Sequence, residues 1–281
     1  MSRRRRVFAV ASTLLVAAIA TGGFLGLRAL ERAMTFRPER ADAARLGPLP
    51  AGARDVVFGT DDGLALHGWY WRSGDKPAPL TVLYAHGNAG NVLRFAEGAA
   101  RFLALGYDVL LYDYRGYGRS EGTSESEATL NLDARAAHRF LTREQGVPPA
   151  SIALYGYSLG TTVSTELAMS VSCKALVLAA PLASASAQAT DKMPWLPGFM
   201  HGLGVNRFDT VGKIGRARCP VMVIHGDRDD LIDVAHGRAV HAAARDPKKL
   251  MIAAGAGHIL ARTIGLTHID AAAAFIRAPG P

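Results

Sequence analysis

From residue 82 to residue 277, short apolar runs rich in β-branched and aromatic residues alternate with longer stretches of helical periodicity. The runs cover 82–85, 109–112, 152–155, 175–179, 221–225 and 250–252. The helical stretches cover 91–104, 126–144 and 159–170, with a last one ending near Arg277 before Pro279. Repeated strand–helix–strand units of this kind predict an α/β fold, in which a mostly parallel central sheet is flanked by helices on both faces. The stretch over 126–144 is the best specified. Leu130, Ala134, Ala137 and Leu141 share one face, and Ser124 and Glu127 have capping-box spacing. Upstream, Val56-Val57-Phe58 and the run from Leu64 to Trp69 flank Asp61-Asp62-Gly63, which predicts a β-hairpin. Residues 182–215 break the alternation with Pro194, Pro197, Gly198, Gly202 and Gly204 among large apolar residues, and suit a short cap inserted over a site.

A chain of 281 residues, 49% apolar, can bury one large core, so one catalytic domain over 53–281 is expected. The net charge of +8 does not indicate a nucleic-acid partner. Residues 1–40 hold eight Arg against Glu31 and Glu39, which places +6 of the excess beside an apolar run rather than along a folded surface. Arg3, Arg4, Arg5 and Arg6 precede the uncharged residues 7–27, which as a helix could cross a roughly 30 Å hydrocarbon core. This predicts a basic segment and transmembrane signal anchor over 1–35, in contact with the lipid bilayer, then a Pro-containing linker over 36–52. The alternative is a signal peptide cleaved near Ala18-Ile19-Ala20. The N-terminal Arg cluster favours a catalytic domain outside the cytoplasm, whereas the basic residues on the far flank leave a cytoplasm-facing domain as the alternative. Cys173 and Cys219 match no metal-ligand spacing and read as two buried thiols, or as a bridge between neighbouring strands in an oxidising compartment.

Gly156-Tyr157-Ser158-Leu159-Gly160 directly follows one strand and opens a helix. A serine there sits on a sharp turn, and the flanking glycines let strand and helix approach without Cβ clashes. Ser158 is therefore the expected nucleophile. A serine hydroxyl needs a base and a carboxylate that orients the base, and on such a fold both follow the serine, acid first. Asp227, Asp229, Asp230 and Asp233 all follow the strand ending at His225. His258 stands in Gly255-Ala256-Gly257-His258, directly after the last short strand, with His268 on a helical stretch as its rival. The oxyanion formed on attack needs backbone N–H donors. Leu159 supplies one, and the loop His86-Gly87-Asn88-Ala89-Gly90 the other, with Asn88 as the expected donor and His86 as a structural residue.

These segments, together with Asp113-Tyr114-Arg115-Gly116-Tyr117-Gly118-Arg119-Ser120 and His225-Gly226-Asp227-Arg228-Asp229, occur in one order over about residues 54–277. In that order the chain resembles the α/β-hydrolases of the Bem46, ABHD13 and ABHD17 type. The resemblance implies the α/β-hydrolase fold, a Ser158–Asp229–His258 triad, an oxyanion hole near Asn88 and Leu159, and a short cap. Thr35-Phe36-Arg37-Pro38 also resembles the aromatic-Pro segment that follows the signal anchor of such proteins.

The expected function is a membrane-associated serine hydrolase that cleaves carboxylic ester or thioester bonds through an acyl-enzyme, with no cofactor and no metal. A small acyl ester or thioester, or a lipidated protein, is the expected substrate, with Met193, Trp195 and Phe199 of the cap against its acyl chain. Two alternatives stand beside it: a serine peptidase on the same fold, and a catalytically silent, membrane-tethered binding module.

Overall fold

The computed structural model describes residues 21–26, 28–75 and 78–278. Among the described residues ten strands are formed, β1 (Arg37–Pro38), β2 (Ala53–Gly59), β3 (Ala65–Trp71), β4 (Thr81–Ala85), β5 (Ala89–Gly90), β6 (Asp108–Tyr112), β7 (Ile152–Tyr157), β8 (Ala175–Ala179), β9 (Val221–Gly226) and β10 (Lys248–Ala253). Eight of them make one sheet in the order β10-β9-β8-β7-β4-β6-β3-β2. The six strands from β10 to β6 are parallel. The hairpin β2–β3 closes one edge antiparallel, with Gly68 of β3 opposite Tyr112 of β6.

Side chains alternate across this sheet with period two and feed two cores. Leu83 and Ala85 of β4 join one core, which packs under helices Glu127–Arg139, Leu159–Ala168, Thr210–Ile214 and Val234–Ala243. Val82 and Tyr84 join the other, under helices Val92–Ala104 and Thr267–Arg277. Leu130, Ala134, Ala137 and Leu141 are buried as their spacing predicts. The capping box shifts to Ser126 and Thr129. The expected pair is engaged elsewhere: Ser124 Oγ donates to the Arg115 carbonyl, and the Glu127 carboxylate accepts from Lys213 and from the N–H groups of Arg207 and Phe208.

Strand β4 lies between β6 and β7, so the chain leaves it towards one edge of the sheet and later returns on its other side. The C-terminal ends of β4 and β7 therefore flank a topological switch point, the place where open α/β sheets bind ligands. His86 and Ser158 are the first residues beyond those two ends.

Residues 1–20, most of the expected transmembrane helix, lie outside the described residues. Residues 21–26 and 28–35 are helical, and among the described residues no helix is long and apolar enough to cross a membrane. The segment 36–52, expected as a linker, is partly built into the domain. Phe36 is buried against Phe208, β1 pairs in parallel with β5, and the Ala41 N–H donates to the Gly118 carbonyl. Cys173 and Cys219 are free thiols just before β8 and β9.

Candidate active site

Ser158 is one of three non-glycine residues with positive φ among the described residues, at φ 52° and ψ −116°. An L-residue adopts this conformation only when its surroundings force it. Here the close approach of strand and helix does so. A Cβ on Gly156 would lie 2.7 Å from the Thr161 Cα, and one on Gly160 would lie 2.6 Å from the Ala85 carbonyl carbon and 2.8 Å from the His86 oxygen. Only glycines allow β7, β4 and helix Leu159–Ala168 to meet with the serine at the apex of the bend. Its hydroxyl therefore stands above the end of the sheet.

His258 Nε2 lies 3.0 Å from Ser158 Oγ, and His258 Nδ1 lies 2.8 Å from Asp229 Oδ2. Of the four carboxylates that the sequence leaves open, only Asp229 is buried and faces His258. Asp227 accepts from the Gly255 N–H, Asp233 caps helix Val234–Ala243, and Asp230 is exposed. The other oxygen of Asp229 accepts from the N–H groups of Leu231 and Ile232, at 3.0 and 2.8 Å. Burial alone would raise the Asp229 pKa. The hydrogen bonds from His225, His258 and the Ile232 N–H outweigh it and hold the carboxyl well below the usual carboxylate range, so it stays ionised beside the imidazole. His268 is buried in its helix with Nδ1 on the Gly265 carbonyl, away from the serine.

Two residues of the motifs have supporting contacts that the sequence reading missed. His225, in β9, places Nε2 3.2 Å from Asp229 Oδ2 and 2.9 Å from the Ile232 carbonyl, so it backs the acid from below. Tyr157, beside the nucleophile, donates its hydroxyl to the His258 carbonyl at 2.5 Å and fixes the histidine loop. Both stand inside the quoted motifs, but their contacts were not legible there, because one acts across roughly a hundred residues and the other through a tight turn.

The loop over 86–90 packs against the serine, since a Cβ on Gly87 would lie 3.5 Å from the Ser158 Cβ. Leu159 is the first residue of its helix, so its N–H has no intrahelical acceptor. The Asn88 N–H likewise meets no acceptor among the described residues. The Asn88 side chain is fully engaged, with Oδ1 accepting from the Arg37 N–H at 3.0 Å and the Tyr117 hydroxyl at 2.8 Å, and Nδ2 donating to the Thr35 carbonyl at 2.6 Å. His86 is structural, as expected: Nδ1 lies 2.7 Å from the Gly87 carbonyl, its ring stacks on Phe95, and Tyr114 donates to its carbonyl. The Asp113–Ser120 motif is thus a buttress for the loop. Tyr114 and Tyr117 reach the loop directly, and Arg115 is anchored by Asp133 and by both oxygens of Asp62.

The cap residues correct the sequence reading. Trp195 and Phe199 are 75% and 76% exposed, and Met193 is half-buried. The chain around them, Met193–Pro197 and the short helix Gly198–Gly202, is held by local turns and by His201, and the two rings stand on the outer surface. Among the described residues no cluster of His, Cys, Asp and Glu has the geometry to hold a metal ion.

The chain is similar to known proteins in sequence and in fold. The sequence pattern of the α/β hydrolase fold family matches residues 81–210. An uncharacterised protein of Mycobacterium tuberculosis is 36% identical over 255 residues, covering 90% of this chain and 89% of its own length. The human α/β hydrolase domain-containing protein 17C is 35% identical over 181 residues, 63% of this chain, and the chain spans only 52% of that protein. In structure, the chain is similar to a Pyrococcus furiosus esterase, with TM-score 0.67 at 20% identity over 86% of this chain and 97% of the other. The sequence pattern, a relative matched along nearly its whole length and the shared architecture converge: the chain belongs to the α/β-hydrolase family, and is of the kind represented by α/β hydrolase domain-containing protein 17.

Proposed function

We propose that the chain is a membrane-associated serine hydrolase that cleaves carboxylic esters or thioesters. The observation that carries this reading is the single imidazole held between Ser158 Oγ at 3.0 Å and the ionised Asp229 at 2.8 Å. In the proposed cycle His258 Nε2 takes the hydroxyl proton as Ser158 Oγ bonds to the substrate carbonyl carbon, while Asp229 stabilises the imidazolium. Charge builds on the carbonyl oxygen, which the N–H groups of Leu159 and Asn88 receive. The tetrahedral intermediate collapses as His258 returns the proton to the leaving alkoxide or thiolate, leaving an acyl-serine. Water, deprotonated by the same imidazole, then releases the acid and restores Ser158. The esterase activity named for the Pyrococcus furiosus structure is in line with this chemistry. Membrane association rests on the uncharged residues 7–27 behind four Arg, read as a signal anchor with the catalytic domain outside the cytoplasm.

The test is covalent labelling of the full chain in detergent with a fluorophosphonate probe, beside ester, thioester and amide turnover. Labelling of the wild type, none of Ser158→Ala, and ester or thioester cleavage faster than amide cleavage are expected. An unlabelled wild type overturns the enzyme reading, and faster amide cleavage turns it into a peptidase.

A further inference from the structure

We propose that the outer faces of the N-terminal helical segment and of the cap form one surface that docks into the bilayer, so that the Ser158 mouth opens at the lipid and takes membrane-resident acyl esters. This rests on the hydrolase and anchor readings above and names their substrate class.

Among the described residues thirteen large apolar side chains are exposed, and nine belong to these two segments. Leu30 and Met34 of the helical segment are 57% and 58% exposed, and Trp195, Phe199 and Leu203 of the cap are 60% exposed or more. Scattered single apolar residues are ordinary on a protein surface, whereas a concentration in two adjoining segments marks an interaction site.

The two segments adjoin because a carboxylate clasps them. Glu31, on the helical segment, accepts from the N–H groups of Val205 and Asn206 at 3.2 and 2.8 Å and from the Asn206 side-chain amide at 3.0 Å. The returning end of the cap is thus bonded to the helix one turn before it stops. The helix stops at the oxyanion loop, where the Thr35 carbonyl accepts from Asn88 and the Arg37 N–H donates back to it. These contacts join the exposed helix to the exposed cap, and join the end of that helix to the loop that packs against Ser158.

The occupant follows from what the surface continues. The helical segment carries on the uncharged run that begins at residue 7, so an apolar phase that accepts the run also meets the face of the helix beyond it. Arg32, on the segment itself, and Arg37, two residues beyond its end, are exposed, where guanidinium groups meet lipid phosphates. Trp195 supplies the amphipathic ring that favours the interface. An acyl chain could pass from such a bilayer to Ser158 without crossing water.

The test uses the full chain in phospholipid vesicles with brominated acyl chains. The protein has three tryptophans, and Trp69 and Trp71 are buried at 1% and 0%, so the emission lost in Trp195→Phe reports Trp195. That emission is expected to be quenched by the brominated chains and shielded from aqueous iodide. In parallel, Leu30→Glu and Leu203→Glu are expected to lower turnover of a long-chain ester embedded in vesicles at least tenfold, and to leave turnover of a water-soluble short-chain ester within twofold. Quenching by iodide and not by brominated lipid overturns the proposal, as do equal losses on both esters, or a dimer that hides Trp195 from both quenchers. A chain that shows the lipid quenching but no labelling at Ser158 keeps the surface and removes the hydrolase reading instead.

Discussion

Replacing Asp229 by Asn tests how the imidazole is held, because the surroundings of this carboxylate dictate which way an amide must face. Two backbone N–H groups, of Leu231 and Ile232, point at one oxygen, and His258 Nδ1 lies 2.8 Å from the other. An Asn at this position keeps its oxygen on the two donors and turns its NH2 group towards Nδ1. That amide donates to Nδ1 and moves the ring proton to Nε2, where it faces the Ser158 hydroxyl that the ring should deprotonate. To act as a base the ring must return to the other tautomer. It then loses a charge-assisted hydrogen bond, worth about 1.5–3 kcal/mol, and leaves two donors opposed at a buried site, a further cost of about 1–3 kcal/mol. The penalty of about 2.5–6 kcal/mol corresponds to roughly 10²- to 10⁴-fold in kcat at about 1.4 kcal/mol per decade. Steady-state kinetics on a short-chain ester should show this fall with KM nearly unchanged, and with the fold intact by circular dichroism. Asp227→Asn and Asp230→Asn, whose side chains do not meet the imidazole, should stay within a few-fold of wild type. A kcat for Asp229→Asn within tenfold of wild type, or an equal loss in Asp230→Asn, refutes the assignment of the acid.

Gly160→Ala tests the elbow: its Cβ would stop 2.6 Å from the Ala85 carbonyl carbon, about 0.9 Å short of the roughly 3.5 Å that two carbons prefer. With backbone on both sides, helix and loop must separate and pull the two oxyanion donors apart, so kcat should fall about 10²-fold and stability by about 1–3 kcal/mol; wild-type turnover in this variant removes the close approach from the argument. The pH dependence of stability has a definite sign. Asp62 is held down to about 2 by the Arg115 guanidinium, and Asp229 is also lowered, so both contribute stability above their unfolded values near 4. Stability should therefore be lost as pH falls from about 4 towards 2, and Asp62→Asn should flatten the first part of that loss in urea titrations at stepped pH. An Asp62→Asn profile that falls as steeply as wild type removes Arg115 as the cause.

The helix over 126–144 shows where local reading stops. Its buried face was legible because core contact requires a 3.6-residue period, but its cap was not, because Ser124 and Glu127 are drawn to Arg115 and to the cap's return. A side chain with capping chemistry caps only when no distant partner competes for it. Trp195 and Phe199 failed for a related reason, since apolarity alone cannot tell a pocket wall from an outer face.

The alternation of runs and helices was enough to determine a parallel sheet, and Gly156, Ser158 and Gly160 were enough to determine a bend carrying a hydroxyl, because each is a local consequence of backbone sterics. Even the imidazole that meets Ser158 could be chosen from its place after the last strand. The acid could not be chosen on local grounds, as four carboxylates within seven residues share the same chemistry and spacing. Only the folded loop separates them, by turning the N–H groups of Leu231 and Ile232 onto Asp229 and His225 beneath it. The docking of Thr35, Phe36 and Arg37 on the oxyanion loop and on Phe208 is likewise a tertiary decision. It depends on which groups the sheet brings within hydrogen-bond reach, and a one-dimensional pattern carries no distances between segments fifty or more residues apart.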